Sequence, residues 1–141
     1  MRQDSSVFDF AQRFYKAISD GDIDTLQTLT LDDDCVVMIG TDPQEWWQGF
    51  KEVTGAFRAQ FQALGGGLQI SNSNPQCWSE GNIGWFADQF KLGAAGTQVP
   101  CRLTCVVTKD SNGQWRMAHG HCSIGVSNQE AIGLDVSFPV K

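Results

Sequence analysis

Two histidines, His119 and His121, stand two residues apart in the stretch WRMAHGHCS (115–123), and the protein has no others. On a strand, that spacing points both imidazoles to one face. Three chemistries use such a pair. A metal takes paired imidazoles but needs a third ligand and an outer shell of partners. Proton transfer takes one imidazole whose pKa lies near neutrality. A binding pocket takes them as polar groups that orient a ligand. A fourth reading is structural: the histidines belong to a buried hydrogen-bonded network and touch no ligand.

Strand register decides which residues join them. Period-two patterning and turn residues mark strands at Leu68 to Ser71, Gln76 to Ser79, Ile83 to Leu92, Gln98 to Lys109 and Gln114 to Gly125. Alternation puts Trp115, Met117, His119, His121 and Ser123 on one face. Reading DSNG as an even loop sets Lys109 opposite Gln114, Arg102 opposite His121 and Thr104 opposite His119. A three-residue loop would bring Leu103 and Cys105 there instead. Reading GAAGT as a five-residue loop sets Leu92 opposite Gln98, Asp88 opposite Arg102 and Phe86 opposite Thr104. One face then carries Asp88, Arg102 and His121 in a row, with Phe86, Thr104 and His119 in the next. Directly opposed side chains lie about 4.5–5.5 Å apart at Cβ. Rimmed by Phe14, Tyr15, Trp85 and Trp115, this cluster has the make-up of a small-molecule site, mostly apolar with a few convergent polar groups. Asp88 is the one good third ligand for a metal, but Arg102 beside it would repel a cation, so no metal is expected.

These strands need elements to curl around. Phe8, Ala11, Tyr15 and Ile18 recur at helical spacing, with Val7, Phe10, Phe14 and Ala17 as a second stripe. Ser6 and Asp9 form a capping box ahead of them. DGD (20–22) ends this helix, a short helix follows near Ile23 to Leu29, and CVVMI (35–39) reads as a strand. Asp42 as N-cap, Pro43 at the first helical position and Glu45 completing the cap predict a helix from that point. Val53, Phe57, Phe61 and Leu64 form its apolar face, and the glycines at 65–67 end it. Helices first and an antiparallel meander after predict an α+β domain with the sheet curled around the helices. Strands such as VPCRLTCVV are apolar on both faces, so the back of the sheet is expected to be covered by a second copy of the chain.

The totals narrow the partners. At 141 residues the chain makes one domain with a core of its own. Net charge is −6 and the 10 Lys+Arg are scattered, which argues against nucleic acid and anionic membranes. No apolar run approaches the roughly 20 residues that span a bilayer. The N-terminus turns acidic early and shows no apolar signal region, so a cytoplasmic location is expected. The 5 cysteines form no CxxC pair, and four lie in apolar runs, as buried reduced thiols do. No cofactor motif is present; the glycine run follows a helix rather than opening one.

GTDPQEWWQGF followed by a helix, IGWFADQF, VPCRLTCVVTKDSNGQWRM and HCSIGV together resemble the SnoaL-like branch of the nuclear transport factor two-like superfamily, over residues 8 to 126. The resemblance implies a cone-shaped α+β fold, usually dimeric, with a pocket between the curled sheet and the helices. Residues 127–141 read as a less patterned tail, whose VSF segment is expected to pair with a sheet edge in the same chain or in a partner copy. It does not imply one activity, since the superfamily holds ketosteroid isomerase, polyketide cyclases, dehydratases, hydrolases and non-catalytic association domains. Tyr15 resembles the first-helix tyrosine of ketosteroid isomerase. That chemistry also needs a carboxylate base after the first strand, and CVVMIG offers none before Asp42. By analogy with the cyclases, Asp88 is the candidate acid, although pairing with Arg102 would lower its pKa. His121 is the better proton carrier.

Three functions follow. The leading one is binding of a small, partly apolar ligand, with Tyr15, Trp47, Phe57, Trp85 and Phe86 as walls and Arg102, Thr104, His119 and His121 orienting a carbonyl or carboxylate. The second is an isomerase, cyclase or hydrolase in which His121, assisted by Asp88, moves a proton. The third is an adaptor or association module.

Overall fold

The computed structural model describes residues 1–136. The first helix, α1 (Ser5–Asp20), starts two residues before its apolar stripes because Asp4, rather than Ser6, is the cap: Oδ1 of Asp4 accepts from the Ser6 amide at 2.8 Å. Its carboxyl also accepts from the Ser6 and Ser79 hydroxyls, which pull its pKa down from 3.8 to about 2. Val7, Phe10, Phe14, Tyr15 and Ile18 are buried, whereas Phe8 is exposed. Gly21 takes the left-handed conformation that ends the helix. The second helix, α2 (Ile23–Leu29), buries Leu26 and Leu29.

The chain is α+β, with its helices packed into a curled, unclosed sheet of eight strands. β1 (Arg2–Gln3), β2 (Val37–Ile39), β3 (Trp46–Gln48), β4 (Gln69–Ser71), β5 (Gln76–Glu80), β6 (Ile83–Ala94), β7 (Thr97–Lys109) and β8 (Trp115–Ile124) form it. The order is β1-β5-β6-β7-β8-β2-β3, with β4 on β6. It is not antiparallel throughout: β2 runs parallel to β8. The predicted helix start at Asp42 and Pro43 is a β-turn instead. Asp42 Oδ1 accepts from the Gln44 amide within that turn, and β3 returns against β2, Met38 opposite Trp47. The third helix, α3 (Phe50–Leu64), begins only after Gly49 and buries Val53, Phe57 and Phe61.

Three local features set the faces of the sheet. The loop after Lys109 is odd rather than even: five residues lie between the strands, and Lys109 pairs with Trp115 instead of Gln114. Ala95 and Gly96, both at positive φ, make a two-residue turn that sets Ala94 opposite Thr97. The expected five-residue loop is therefore replaced by a tighter one, and the register slips by one residue. In β8, Val106 pairs with His119 while Val107 pairs with Met117, so Ala118 is an extra residue in a bulge. Trp115 and Met117 point inward on one side of this bulge, and Gly120 and Cys122 do so on the other. His119 and His121 consequently leave the face of Met117.

Phe86, Val107, Met117, Leu26 and Phe14 lie at the centre of the core. Aromatic edges hold it together: Tyr15 meets Phe86 at 89° and Phe90 at 60°, and Phe14 meets Phe57 at 83°. A short helix, α4 (Asn128–Ile132), follows the sheet, closed by a Ser127–Glu130 capping box. Ser137 and Phe138 of the VSF segment lie outside the described residues. Among the described residues, no helix is long and apolar enough to cross a membrane.

Candidate functional site

A cavity of about 360 Å³, open at one end, lies between α1, α3 and the concave face of the sheet. Its walls come from all three. α1 contributes Phe14, Tyr15 and Ile18; α3 contributes Phe57, Gln60 and Leu64; the strands contribute Met38, Trp47, Phe90, Leu103 and Cys122. Each strand residue faces inward because alternation within its own strand puts it there. In β6 the even-numbered residues 84 to 90 are buried, and in β7 the odd-numbered residues 101 to 107 are.

Three of the residues expected to bind ligand line this cavity: Tyr15, Trp47 and Phe57. Phe86 is fully buried behind Tyr15, a core side chain. Trp85 stacks on Trp78, ring centres 6.2 Å apart, on the outer face. The row expected to hold Asp88, Arg102 and His121 does not form. Asp88 pairs with Leu103, which pairs with Cys122, while Arg102 lies between Gln89 and Ser123. Thr104 stands opposite His121 and Val106 opposite His119. Arg102, Thr104, His119 and His121 do neighbour one another, but on the convex face, with the sheet between them and Asp88.

Asp88 is buried on the concave side. Its Oδ2 accepts from the Tyr15 hydroxyl at 2.9 Å and its Oδ1 from the Asn74 amide at 3.0 Å. Burial, with the Asp88 charge adding, pushes the Tyr15 pKa above its ordinary 10.0, so the phenol stays protonated and donates to Asp88. Its oxygen remains free to accept from a cavity ligand.

Glu45 is the residue that sequence reasoning missed. It reads as part of a helix cap, yet it sits on the return of the β2–β3 turn, where Gly40 and Glu45 share a backbone bond of 2.9 Å. Two residues before Trp47, it lines the cavity at its edge, and it also borders an outer depression that holds His121 and Ser123. Its Oε2 accepts from the Asp42 amide at 3.4 Å. A Cβ on Gly40 would fall on this carboxylate, so glycine there leaves it room. A carboxylate thus stands beside the end of β2, carried by the residue that precedes β3. The available signal was alternation: Glu45 and Trp47 flank Trp46, which is exposed on the opposite face. Burial, with Cys101 and Glu45 contributing, pushes the Cys122 thiol up to about 12, and burial pushes Cys77 up to about 11. Both are protonated at neutral pH and poor nucleophiles. Among the described residues, no group of three or more His, Cys, Asp or Glu is placed to hold a metal ion.

A family model described as a SnoaL-like domain matches residues 7–127. The chain belongs to the SnoaL-like family. Solved structures share the SnoaL-like chain's fold at low sequence identity. An NTF2-like protein of unknown function from Pseudomonas putida is 17% identical with a TM-score of 0.78, over 96% of this chain and 95% of that one. An NTF2-like superfamily protein from Salmonella enterica is 15% identical with a TM-score of 0.77, over 92% and 96%. An uncharacterized protein with a cystatin-like fold from Caulobacter vibrioides is 13% identical with a TM-score of 0.75, over 90% and 92%. No curated protein matches this SnoaL-like sequence.

Proposed function

We propose that this SnoaL-like protein binds a small, largely apolar molecule in the cone. The observation that carries this reading is the cavity of about 360 Å³, walled by Phe14, Trp47, Phe57, Phe90 and Leu103, with few polar groups at its rim. Its size lies at the lower end of ligand sites, commonly about 300–1,000 Å³. Burying an apolar ligand there would gain roughly 25 cal/mol per Å² of surface removed from water. The proton-transfer alternative through His121 has less support, because the imidazole and the cavity lie on opposite sides of the sheet.

Nile red, a neutral apolar dye, tests the reading. It should bind the wild type saturably with one site per chain and a rise in emission. Leu103→Trp, which fills the cavity from its floor, should abolish that binding while circular dichroism still shows a folded chain. His121→Ala should leave it intact. Dye binding that survives Leu103→Trp would place the site elsewhere.

A further inference from the structure

Among the described residues, the cavity carries charge of one sign only. Of its lining residues, Glu45 alone is ionic; the others are apolar or neutral. The cations that would have served an anionic ligand face away. Arg102 and Lys91 lie along a separate depression on the outer side with Gln89 and Pro100. A second carboxylate, Asp88, stands behind the Tyr15 ring and has no ion-pair partner among the described residues. Glu45 is half-buried and seated over Gly40, with only one weak backbone donor to satisfy it. Trp47, two residues from Glu45, adds an aromatic side chain to the lining near the carboxylate.

We infer that the cavity takes an apolar amine in its protonated form, its ammonium beside Glu45 and its body against Phe14, Phe57 and Phe90. This rests on the reading of the cavity as a ligand site and names the class of ligand. A carboxylate would meet the repulsion of Glu45 and find no cation in the lining. A neutral apolar ligand would gain the same burial as the amine but leave Glu45 without a partner. The ammonium gains both. The excess of acidic residues over the whole chain, net −6, also raises the local concentration of cations over anions.

Three compounds of nearly one shape test this by isothermal titration calorimetry at neutral pH: 1-naphthylmethylammonium, 1-naphthylmethanol and 1-naphthoate. The ammonium should bind up to about fivefold more tightly than the alcohol, the order expected for a partly exposed charge pair, and the naphthoate more weakly than either. Glu45→Gln keeps the shape of the side chain and should bring the ammonium down to the alcohol while the alcohol is unchanged. Asp9→Asn removes an equal charge from an exposed site on α1 and should preserve the order. The inference is overturned if the alcohol equals the ammonium in the wild type, if naphthoate binds best, or if Glu45→Gln keeps the preference. It is also overturned if none of the three binds although Nile red does. Failure of both Nile red and the naphthyl compounds would instead remove the cavity reading beneath it.

Discussion

The two faces of one sheet carry opposite chemistry. The concave face of β6 and β7 presents Phe86, Phe90, Leu103, Cys105 and Val107, all buried, and the one charged member there, Asp88, is held by Tyr15 and a backbone amide. The convex face presents Gln89, Arg102, Thr104, His119 and His121, with half-buried Trp85 stacked on Trp78. A list of polar residues on neighbouring strands therefore says little about a pocket until the faces are known. In this protein the richer polar group lies outside, and the chemistry of the cavity depends on one carboxylate delivered by a turn.

The largest effect that would test this contrast is on stability. Phe86→Ala should cost about 3–5 kcal/mol, because it empties a fully buried aromatic site, whereas Arg102→Ala should change stability by no more than about 0.5 kcal/mol. Urea unfolding of the two variants gives both numbers, and comparable losses would mean that the outer face is as tightly committed as the inner one.

A smaller effect is expected where the concave face holds its one charge. Tyr15→Phe keeps the ring contacts with Phe86 and Phe90 but strips Asp88 of its hydroxyl donor, at a cost of about 1–3 kcal/mol. Thermal unfolding near neutral pH reads this. A neutral result would show that water replaces the phenol and that Asp88 is less sealed than its burial implies.

The smallest effect concerns the turn that sets the faces. Ala95 sits at φ 50, where a side chain without a local hydrogen-bonding group is disfavoured. Ala95→Asn makes the Asn-Gly pair preferred in such turns and should stabilise the fold by about 0.5–1 kcal/mol. Amide exchange across β6 and β7 should slow by the corresponding factor; faster exchange would mean that asparagine disturbs the turn.

Much of the fold was legible in the residues themselves. Helical stripes marked α1 and α3, and period-two runs marked β5 to β8 within a few residues, because each pattern depends only on neighbours along the chain. Tyr15, Trp47 and Phe57 were recognisable as pocket walls. Glu45 was not, because a D-x-x-E spacing serves a helix cap and a tight turn equally well. Ala118 was not, because nothing in its neighbourhood distinguishes a bulge from ordinary alternation.

The sequence by itself determined the main helices and the long strands, the α+β class, the apolar character of both helical faces and the likeness to SnoaL-like domains. Only the tertiary structure decided which alternate residues face the helices. That choice turned on a two-residue turn at Ala95–Gly96, an odd loop between Lys109 and Trp115, and one extra residue at Ala118. The physical reason is the side-chain period of two: a slip of one residue exchanges inside for outside, and the packing of the whole core selects the register. The same packing set Arg102 and His121 on the outer face and left Glu45 as the one charge at the cavity.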